Sequence, residues 1–326
     1  MKKVSIITPC YNAADTLRRC WDSIRNQSIG IDALECIFVD DASTDSGATW
    51  QMLEAIEREA PASVKIIRLQ QNMAQGGARN EALKHVTGRY LQFLDADDEL
   101  LPDACRLLYE YAEKTQADII QFNHDVQSGT ERKTECNCRE TGVYHQGNAD
   151  GRKLFLIPSG EVTFGCWNKF YRMEMVRKAE ACFAEHVIYE EPLFVYPQLL
   201  SAECIGLLEQ SLLINHIHAQ STTAKARRVG GSRVGEHRSV QLQLLRFLQN
   251  REAWMRDYHD EIEYYFLWTY FFETILFMGQ AEQVIQPELF EEMKGTCKRY
   301  FPRWRDNPYI REMDADLYDV MAMIDI

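Results

Sequence analysis

Long apolar runs are missing from this chain of 326 residues. No segment reaches the roughly 18 consecutive apolar residues that a helix needs to cross a bilayer. The richest candidate, residues 264–272, is too short and is followed by Glu273. The apolar stretch behind the two N-terminal lysines is shorter than the core of a signal peptide, and polar residues follow it at once. We therefore predict neither a membrane span nor a secretory leader, and we interpret the first apolar stretch as a buried strand.

Paired cysteines and surplus positive charge are also missing. The ten cysteines are dispersed, without a CxxC pair or a zinc-ligand spacing, which is typical of reduced thiols in a cytosolic protein. The formal net charge is −13, and this argues against nucleic acid as a partner, because phosphate binding needs a basic surface. Apolar residues make up 46% of the chain and charged residues 26%, so we expect a globular protein with a sizeable core.

What the chain does have is a regular alternation of strand-like and helix-like segments over its first 123 residues. The predicted strands are residues 4–8, 34–39, 64–69, 90–94 and 118–122, and the predicted helices are residues 14–26, 46–59, 75–86 and 102–114. This alternation predicts an α/β fold with a mostly parallel sheet and flanking helices. Ligands of such sheets bind beyond the carboxyl ends of the strands.

The pattern changes along the rest of the chain. Residues 124–160 are rich in glycine, threonine, serine and charge, and we interpret them as an irregular insert or a hairpin. A helix near residues 192–200 and a strand at residues 212–216 follow. Beyond them, basic residues crowd a stretch that resembles a mobile loop, and helical patterns continue to the end. The predicted parts are an α/β domain at residues 1–223, with halves at about 1–123 and 160–223, and a basic loop with a C-terminal helical extension at residues 224–326.

Aspartates stand where two of the predicted strands end. Asp40 and Asp41 follow the second strand, and Asp95 and Asp97 follow the fourth. Because Asp95 and Asp97 are one residue apart, a pleated backbone points both side chains to the same side. Two neighbouring carboxylates suit Mg²⁺ or Mn²⁺, with phosphate oxygens of a ligand completing the octahedron. The alternative is that these acids merely cap turns. We interpret Asp45 as a cap of the helix that follows.

Four motifs occur in a fixed order along this part of the chain. They are T-P-C-Y-N at residues 8–12, V-D-D-A-S-T-D at 39–45, Q-G-G-A-R-N at 75–80 and D-A-D-D at 95–98. The combination resembles the family 2 glycosyltransferases, which have the GT-A fold and use nucleotide-diphosphate sugars. In that family the motifs typically read P-x-Y-N, V-D-D-G-S-x-D, G-x-x-x-A-R-N and D-x-D-D. The likeness continues through W-N-K-F-Y-R at residues 167–172 and Y-E-E-P-L-F at residues 189–194, and it covers about two thirds of the chain.

The resemblance implies donor-binding roles for five residues. Pro9 and Tyr11 would line the pocket of the nucleobase, and Asp40 would accept a hydrogen bond from the edge of the base. Arg79 would reach the donor or pair with Asp40 or Asp95, and a purely structural ion pair is the alternative. Asp95 would contact the ribose or a metal-bound water.

The resemblance also implies a divalent cation, Mn²⁺ or Mg²⁺, and a general base. Asp97 would bind the cation directly, with Asp95 beside it. His218 would complete the metal shell or touch the diphosphate, unless it belongs to the scaffold. The Glu-Asp pair of the family is here Glu190-Glu191, and by position Glu191 is the base that deprotonates the acceptor. Because Glu191 is one methylene longer than aspartate, Glu190 stays open as the base. Two acids that stabilise the start of a helix are the third interpretation.

Three features of the second half have more than one interpretation. Trp167, Asn168 and Lys169 would shape the acceptor side, or Trp167 is simply core. The basic residues between 225 and 238 would close over the diphosphate, rest on an anionic membrane surface or form a solvated linker. The aromatic helices after residue 257 predict the core of a helical appendage. A face for a lipid-linked acceptor and a homodimer contact are the other interpretations of those helices.

Together with the resemblance, these features predict an inverting, metal-dependent glycosyltransferase in the cytoplasm or peripheral at the inner face of the membrane. The expected donor is a UDP-sugar, and the expected acceptor is a hydroxyl of a surface glycan, such as capsule or lipopolysaccharide, or of a lipid-linked glycan. One rival, a sugar nucleotidyltransferase, would need a glycine-rich loop after the first strand, where residues 9–12 contain no glycine. The other rival is a non-catalytic scaffold that binds nucleotide sugars within a glycan assembly complex.

Overall fold

The computed structural model describes residues 2–147, 149–157, 162–217, 231–280, 286–313 and 315–323. Internal contacts divide the chain into two units. The first unit comprises residues 1–148 and 161–218, and the second comprises residues 149–160 and 219–326. The boundary that we predicted at residue 223 lies outside the described residues and stays a prediction.

Ten strands of the first unit form one sheet. In chain order they are β1 Val4–Cys10, β2 Leu34–Asp40, β3 Val64–Arg68, β4 Tyr90–Phe93, β5 Glu99–Leu100, β6 Ile119–Ser128, β7 Glu131–Glu135, β8 Gly142–His145, β9 Lys169–Arg172 and β10 Cys204–Ile217. Their spatial order is β3-β2-β1-β4-β9-β6-β10-β5, with β7 beside β6 and β8 beside β10.

Four of these strands make a parallel sheet that carries the predicted aspartates. β1 pairs in parallel with β2 on one side and with β4 on the other, and β2 pairs in parallel with β3. Ile7 lies opposite both Ile37 and Phe93, so the carboxyl ends of β1, β2 and β4 reach the same edge of the sheet. Every residue of β1 and all but one of β2 are buried, as expected of strands that helices cover on both faces.

Antiparallel strands complete the sheet, and the alternation of the sequence did not predict them. β9 lies between β4 and β6 and runs antiparallel to both. β6 and β10 are parallel to each other, whereas the short β5 runs antiparallel to β10. The predicted α/β class is confirmed. The strands β1 to β4, which form the parallel half of the sheet, are among those that the alternation of the sequence predicts.

Helices flank the sheet in the first unit. They are α1 Ala14–Arg25, α2 Ala48–Glu59, α3 Ala74–Leu83, α4 Ala104–Thr115, α6 Met173–Ala179 and α7 Pro192–Ser201, whereas α5, Ala149–Leu156, belongs to the second unit. The packing of α1 illustrates why these segments are helical. Leu17, Trp21 and Ile24 recur at helical spacing in α1, and all three are buried.

The insert that we predicted at residues 124–160 contains a hairpin. β6 runs on to Ser128, and β7 folds back on it. β10, which lies on the other side of β6, is longer than the predicted strand at residues 212–216, because it begins at Cys204. Its register against β6 shifts on both sides of Ser211. An irregularity of that kind breaks the strict alternation by which a strand is recognised in a sequence.

The described part of the second unit is helical. Besides α5 its helices are α8 Gly231–Gln249, α9 Glu252–Asp257, α10 His259–Phe266, α11 Thr274–Gln280, α12 Pro287–Tyr300, α13 Pro308–Met313 and α14 Ala315–Met323. A π-helical segment, Leu267–Glu273, joins α10 to α11. Among the described residues, no helix combines the length and the apolarity that a bilayer crossing takes.

The prediction of a loop over residues 225–238 is wrong for its last part, because α8 has already begun at Gly231. Val234, Leu245 and Leu248 of α8 are buried at helical spacing, and burial of this apolar stripe favours a helix despite the basic residues around it. The other basic residues of the predicted loop lie outside the described residues or have side chains that the structure does not describe; they are Lys225, Arg227, Arg228 and Arg233.

The described aromatic residues after residue 257 are all buried or half-buried, in agreement with the predicted core of a helical appendage. Tyr264, Phe266, Tyr270 and Phe271 are buried. The rings of Phe266 and Tyr270 stack with 4.8 Å between their centroids.

Candidate active site

The loops that follow β1 and β2 are fastened together. Asn12 is in the left-handed region, with φ 50°, and its backbone N–H donates to Ser43 Oγ at 3.0 Å. Its side-chain oxygen accepts from the backbone N–H of Thr44 at 2.7 Å. Tyr11 is 49% exposed and can therefore stack on a flat ring. Pro9 lies inside β1 and is buried, so of these two residues only Tyr11 presents a large surface.

Asp40 ends β2 with one of its carboxylate oxygens unsatisfied. The residue is fully buried, and Oδ1 accepts from the backbone N–H of Ser43 at 3.0 Å. Oδ2 lies 3.3 Å from Arg68 Nε but has no hydrogen-bond partner in the part of the chain that the structure describes. This oxygen has an ion pair but no hydrogen bond from the described residues, so a ligand N–H at this place would be stabilising. Turn capping and ligand binding by Asp40 are therefore compatible, since each uses a different oxygen.

Asp41 and Asp45 hold the surrounding turns. Asp41 is buried, and its Oδ1 accepts from the backbone N–H of Met73, next to α3, at 2.7 Å. Burial raises the pKa of Asp41 to about 6, and the charge of Asp40 adds to the rise. Asp45 accepts from the backbone N–H and the hydroxyl of Thr49, at 3.0 and 2.6 Å, and so caps the first turn of α2.

Gly76, near the start of α3, permits a close contact with a distant segment. A Cβ on Gly76 would lie 2.0 Å from the backbone oxygen of Ala184 and 3.1 Å from Cβ of Glu190. One turn later, the amide of Asn80 binds the backbone of Phe183, donating to its carbonyl at 3.0 Å and accepting from its N–H at 2.8 Å. The segment that leads into Glu190 is thereby docked on α3.

Arg79 joins that segment to residues 95–98, the DxD loop. Its side chain is 1% exposed, and it donates to Asp95 Oδ1 at 2.8 Å and also to Glu190 Oε1. A third hydrogen bond of 3.3 Å runs to Gln75 Oε1. Of the two aspartates predicted as partners of Arg79, Asp95 is the one that the structure brings into contact.

The charges around Arg79 partly compensate one another. Burial acts to lower the pKa of Arg79, but Asp95, Glu190 and Glu191 outweigh it, and the net shift is upward. Burial raises the pKa of Asp95 and of Glu190, and Arg79 opposes both shifts. One buried cation thus faces three acids, and a further positive charge beside them would favour their ionised forms.

The DxD loop presents two of its three aspartates. Asp98 is buried, and it accepts from Asn215 Nδ2 at 3.1 Å and from the backbone N–H of His216 at 2.9 Å. These bonds fix the loop to β10, and burial raises the pKa of Asp98. Asp95 and Asp97 are partly exposed and one residue apart. They supply two hard oxygen ligands, which suits Mn²⁺ or Mg²⁺ and leaves further positions to phosphate oxygens.

The histidine that we predicted for the metal shell, His218, lies outside the described residues. Its neighbour His216 is described, and Nε2 of its ring lies 2.6 Å from Glu99 Oε1. This contact belongs to the pairing of β10 with β5, so His216 has a scaffold role.

Glu190 and Glu191 are adjacent but differ in environment. Glu190 is buried and bonded by Arg79. Glu191 is partly exposed at the start of α7, where Pro192 occupies the first turn. Its Oε1 accepts from the backbone N–H of Cys166 at 2.7 Å. Of the two acids, Glu191 is therefore the one that a substrate can reach more easily.

The residues predicted to shape the acceptor side are largely interior. Trp167 is half-buried and lies edge-on to the ring of His124, with 4.5 Å between centroids. Asn168 and Lys169 are buried. Burial lowers the pKa of Lys169 to about 7, and Glu191 opposes this shift. The partners of Lys169 were not predicted, because the sequence does not show that this lysine is buried, and a buried lysine is rarely without a partner.

Relatives of known sequence carry the same kind of domain. The sequence profile of glycosyl transferase family 2 matches residues 5–178. An uncharacterized glycosyltransferase of Escherichia coli, YibD, is 28% identical over 268 residues, which are 81% of this chain and 74% of YibD. The poly(ribitol-phosphate) beta-N-acetylglucosaminyltransferase TarP of Staphylococcus aureus is 33% identical over 128 residues, which are 39% of this chain and 38% of TarP. The match to TarP is thus partial.

Solved structures share the architecture. S. aureus TarS 1-349 in complex with UDP-GlcNAc gives a TM-score of 0.63 at 18% identity, over 91% of each chain. The mannosyltransferase PcManGT from Pyrobaculum calidifontis, in complex with GDP-Man and Mn²⁺, gives 0.54 at 14% identity, over 93% of this chain and 82% of that one. Likeness at such identities concerns the fold, and it confirms the predicted architecture. Because the family profile spans more than half of the residues, this chain belongs to glycosyl transferase family 2.

Proposed function

We propose that this chain transfers a sugar from a UDP-sugar to a hydroxyl of a growing surface glycan or of a lipid-linked glycan. The observation that carries the proposal is the convergence of three separate motifs: Arg79 bonds both Asp95 and Glu190, and Glu191 directly follows the latter. The relatives support the donor class, since TarS was solved with UDP-GlcNAc and TarP is named an N-acetylglucosaminyltransferase.

The nucleotide would bind at the carboxyl ends of β1 and β2, where parallel sheets of this kind hold their ligands. The exposed ring of Tyr11 would stack on the base. Asp40 Oδ2, which is buried and unsatisfied among the described residues, would accept the N–H of a uracil ring. Pro9 would contribute the buried floor beneath them. Arg79 is buried, and its role would be to hold Asp95 in place, which is the structural ion pair considered as the alternative to donor contact.

The diphosphate would lie beside the DxD loop, where Asp97 and Asp95 would hold Mn²⁺ or Mg²⁺, with His218 as a further ligand. A divalent cation bound there neutralises charge on the departing nucleoside diphosphate. The structure of PcManGT with GDP-Man and Mn²⁺ supports this assignment by analogy of fold. The hydrogen bonds that Asp98 accepts from β10 would hold Asp95 and Asp97, the two proposed cation ligands, in a fixed position.

Glu191 would act as the base of an inverting displacement. The acceptor hydroxyl attacks the anomeric carbon from the face opposite to the nucleotide, and Glu191 takes its proton as the bond to the diphosphate oxygen breaks. The backbone N–H of Cys166 orients the carboxylate for this step. The ten cysteines are free thiols, which supports a reducing compartment, so we place the transfer in the cytoplasm, at the inner face of the membrane where lipid-linked acceptors are met.

Release of nucleoside diphosphate tests the proposal. The purified chain is incubated with a panel of nucleotide sugars and Mn²⁺, with and without short glycan acceptors. We expect release from a UDP-sugar, faster release with an acceptor, and a product whose anomeric configuration is inverted when it is analysed by NMR. Tight donor binding without any turnover would instead support the alternative, a non-catalytic scaffold that binds nucleotide sugars.

A further inference from the structure

Lys169, the first residue of β9, is an unusual occupant of a protein interior. It is fully buried between β4 and β6, where lysine is rarely found without a partner. Its Nζ lies 2.7 Å from the backbone oxygen of Gly165, 3.1 Å from Thr163 Oγ1 and 3.1 Å from Asn168 Oδ1. Three acceptors match the three N–H bonds of an ammonium group. The charge is therefore satisfied by neutral oxygens of the turn that precedes its own strand.

One of these acceptors leads directly to the proposed base. The carbonyl of Gly165 and the N–H of Cys166 are the two ends of a single peptide group. The carbonyl end accepts from Lys169 Nζ, and the N–H end donates to Glu191 Oε1 at 2.7 Å. Hydrogen bonds in a chain polarise one another, so a cation at the oxygen end makes the N–H a stronger donor.

We propose that Lys169 is a positioning residue for Glu191, acting through the peptide that joins Gly165 to Cys166. It holds this peptide in the orientation that presents the N–H to the carboxylate, and its charge strengthens that hydrogen bond. The inference rests on the proposed function, in which Glu191 removes the acceptor proton. It assigns to the W-N-K segment a part in the proton transfer instead of a contact with the acceptor.

The electrostatics of the site agree with this assignment. Glu191 raises the pKa of Lys169 and opposes part of the fall that burial causes, so the two groups stabilise each other across the peptide. Among the residues that the structure describes, Arg79, Asp95 and Glu190 are also near Glu191, and Arg79 is already bonded to the two acids. Of the two cations Arg79 and Lys169, Lys169 is connected to Glu191 through a hydrogen-bonded peptide.

A double-mutant cycle separates this role from a merely structural one. We expect K169M to lower kcat by about 10–100-fold, as loss of an orienting partner does in other sites, and to leave the Kd of the UDP-sugar unchanged. In an E191Q background the same substitution should lower kcat by less than about twofold, because the group through which Lys169 acts is gone. K84M, at an exposed lysine that pairs with Glu81, is the matched control and should leave kcat unchanged.

Three outcomes would overturn the inference: an equal fold-loss of kcat in both backgrounds, a loss of donor affinity that parallels the loss of kcat, or no loss at all. K169Q, which keeps one donor to the carbonyl of Gly165, provides a second variant in case K169M does not fold, and we expect it to lose less activity. Thermal unfolding of each variant shows whether it is folded. Absence of turnover in the unmodified chain would overturn the proposed function itself, whereas turnover that is insensitive to K169M overturns this inference alone.

Discussion

Individual side chains give the two adjacent acids of the proposed base different environments. Glu190 and Glu191 were both identified from the sequence, but their order of preference rested on position alone. The structure separates them because Arg79 engages Glu190 from a helix 111 residues earlier in the chain. A contact over that distance leaves no local trace in the sequence, so the burial of Glu190 could not be predicted. The residue types that meet at the site, in contrast, could be predicted from the sequence.

Exchange of each acid for its amide tests this separation. We expect E191Q to lower turnover by about 10²–10⁴-fold with unchanged donor affinity, because it removes the proton acceptor and keeps the shape. E190Q deprives the buried Arg79 of one charged partner, and we expect a loss of stability on the order of 3 kcal/mol. Initial rates of nucleotide release and urea unfolding measure the two effects. A fully stable E190Q with the larger loss of turnover would transfer the role of base to Glu190.

Asp41 contributes a component of stability that depends on pH. Burial raises its pKa from the ordinary 3.8 to about 6, so between these values the folded state binds more protons here than the unfolded state. Its contribution to the free energy of unfolding therefore decreases as the pH rises through this window. D41N cannot ionise and lacks this component. Urea unfolding at several pH values between about 4 and 7 should show wild-type stability falling relative to D41N, and a constant difference would contradict the prediction.

At the scale of secondary-structure elements, α3 organises the site. Its glycine-rich start admits the segment that precedes Glu190, and its next turn supplies Arg79 and Asn80. The sequence shows paired glycines at this place, but not which backbone approaches them. The approaching oxygen belongs to Ala184, in a segment that the alternating pattern of the first half does not include.

Alanine substitution tests the close approach at α3. G76A would place a Cβ 2.0 Å from the carbonyl oxygen of Ala184, so we expect a loss of about 1–3 kcal/mol in stability and a lower turnover as Glu190 is displaced from Arg79. G295A is the matched control, because Gly295 lies inside α12 and a Cβ there meets nothing within 4 Å. Alanine at that position should raise stability by about 1 kcal/mol. Equal stabilities of G76A and wild type in urea unfolding would disprove the steric argument.

The elements were predicted well where their neighbours in space are also neighbours in sequence. β1, β2 and β3 and the helices between them satisfy this condition, and their bounds agree with the predicted ones to within a few residues. β9 does not satisfy it: four residues insert antiparallel between β4 and β6, and their register depends on both partners. The register shifts of β10 around Ser211 are likewise set by the strand that it pairs with.

The whole molecule carries a net charge of −13, and a cluster of carboxylates at its candidate site is part of that charge. Both features repel an anionic nucleotide diphosphate, so a divalent cation is the simplest means of offsetting them. Neither the homodimer nor the membrane contact that we considered from the sequence is tested by the structure, and both stay predictions. Composition correctly predicted a globular protein with a sizeable core. The division into two units could not be predicted in this way, because it depends on contacts that composition does not report.

Removal of metal tests the electrostatic argument. Treatment with EDTA should weaken binding of a UDP-sugar by at least about tenfold, and added Mn²⁺ or Mg²⁺ should restore it. D97N should bind the donor weakly with or without the cation, because a direct ligand is lost. D32N, at an exposed aspartate outside the site, should respond to metal like the wild type. Calorimetric titration measures all three proteins, and donor affinity that is unaffected by EDTA would contradict the proposed cation site.

The guanidinium shared by Asp95 and Glu190 makes these positions epistatic. A substitution at either acid alters the charge balance on which the other depends, so the fitness effects of changes at the two positions should not multiply. Chimaeras made by grafting the stretch before α7 from a homologue would inherit a mismatched counter-charge unless the arginine of α3 came with it. In this chain, an exchange of segments should therefore preserve function only when Arg79 and Glu190 are exchanged as a linked pair.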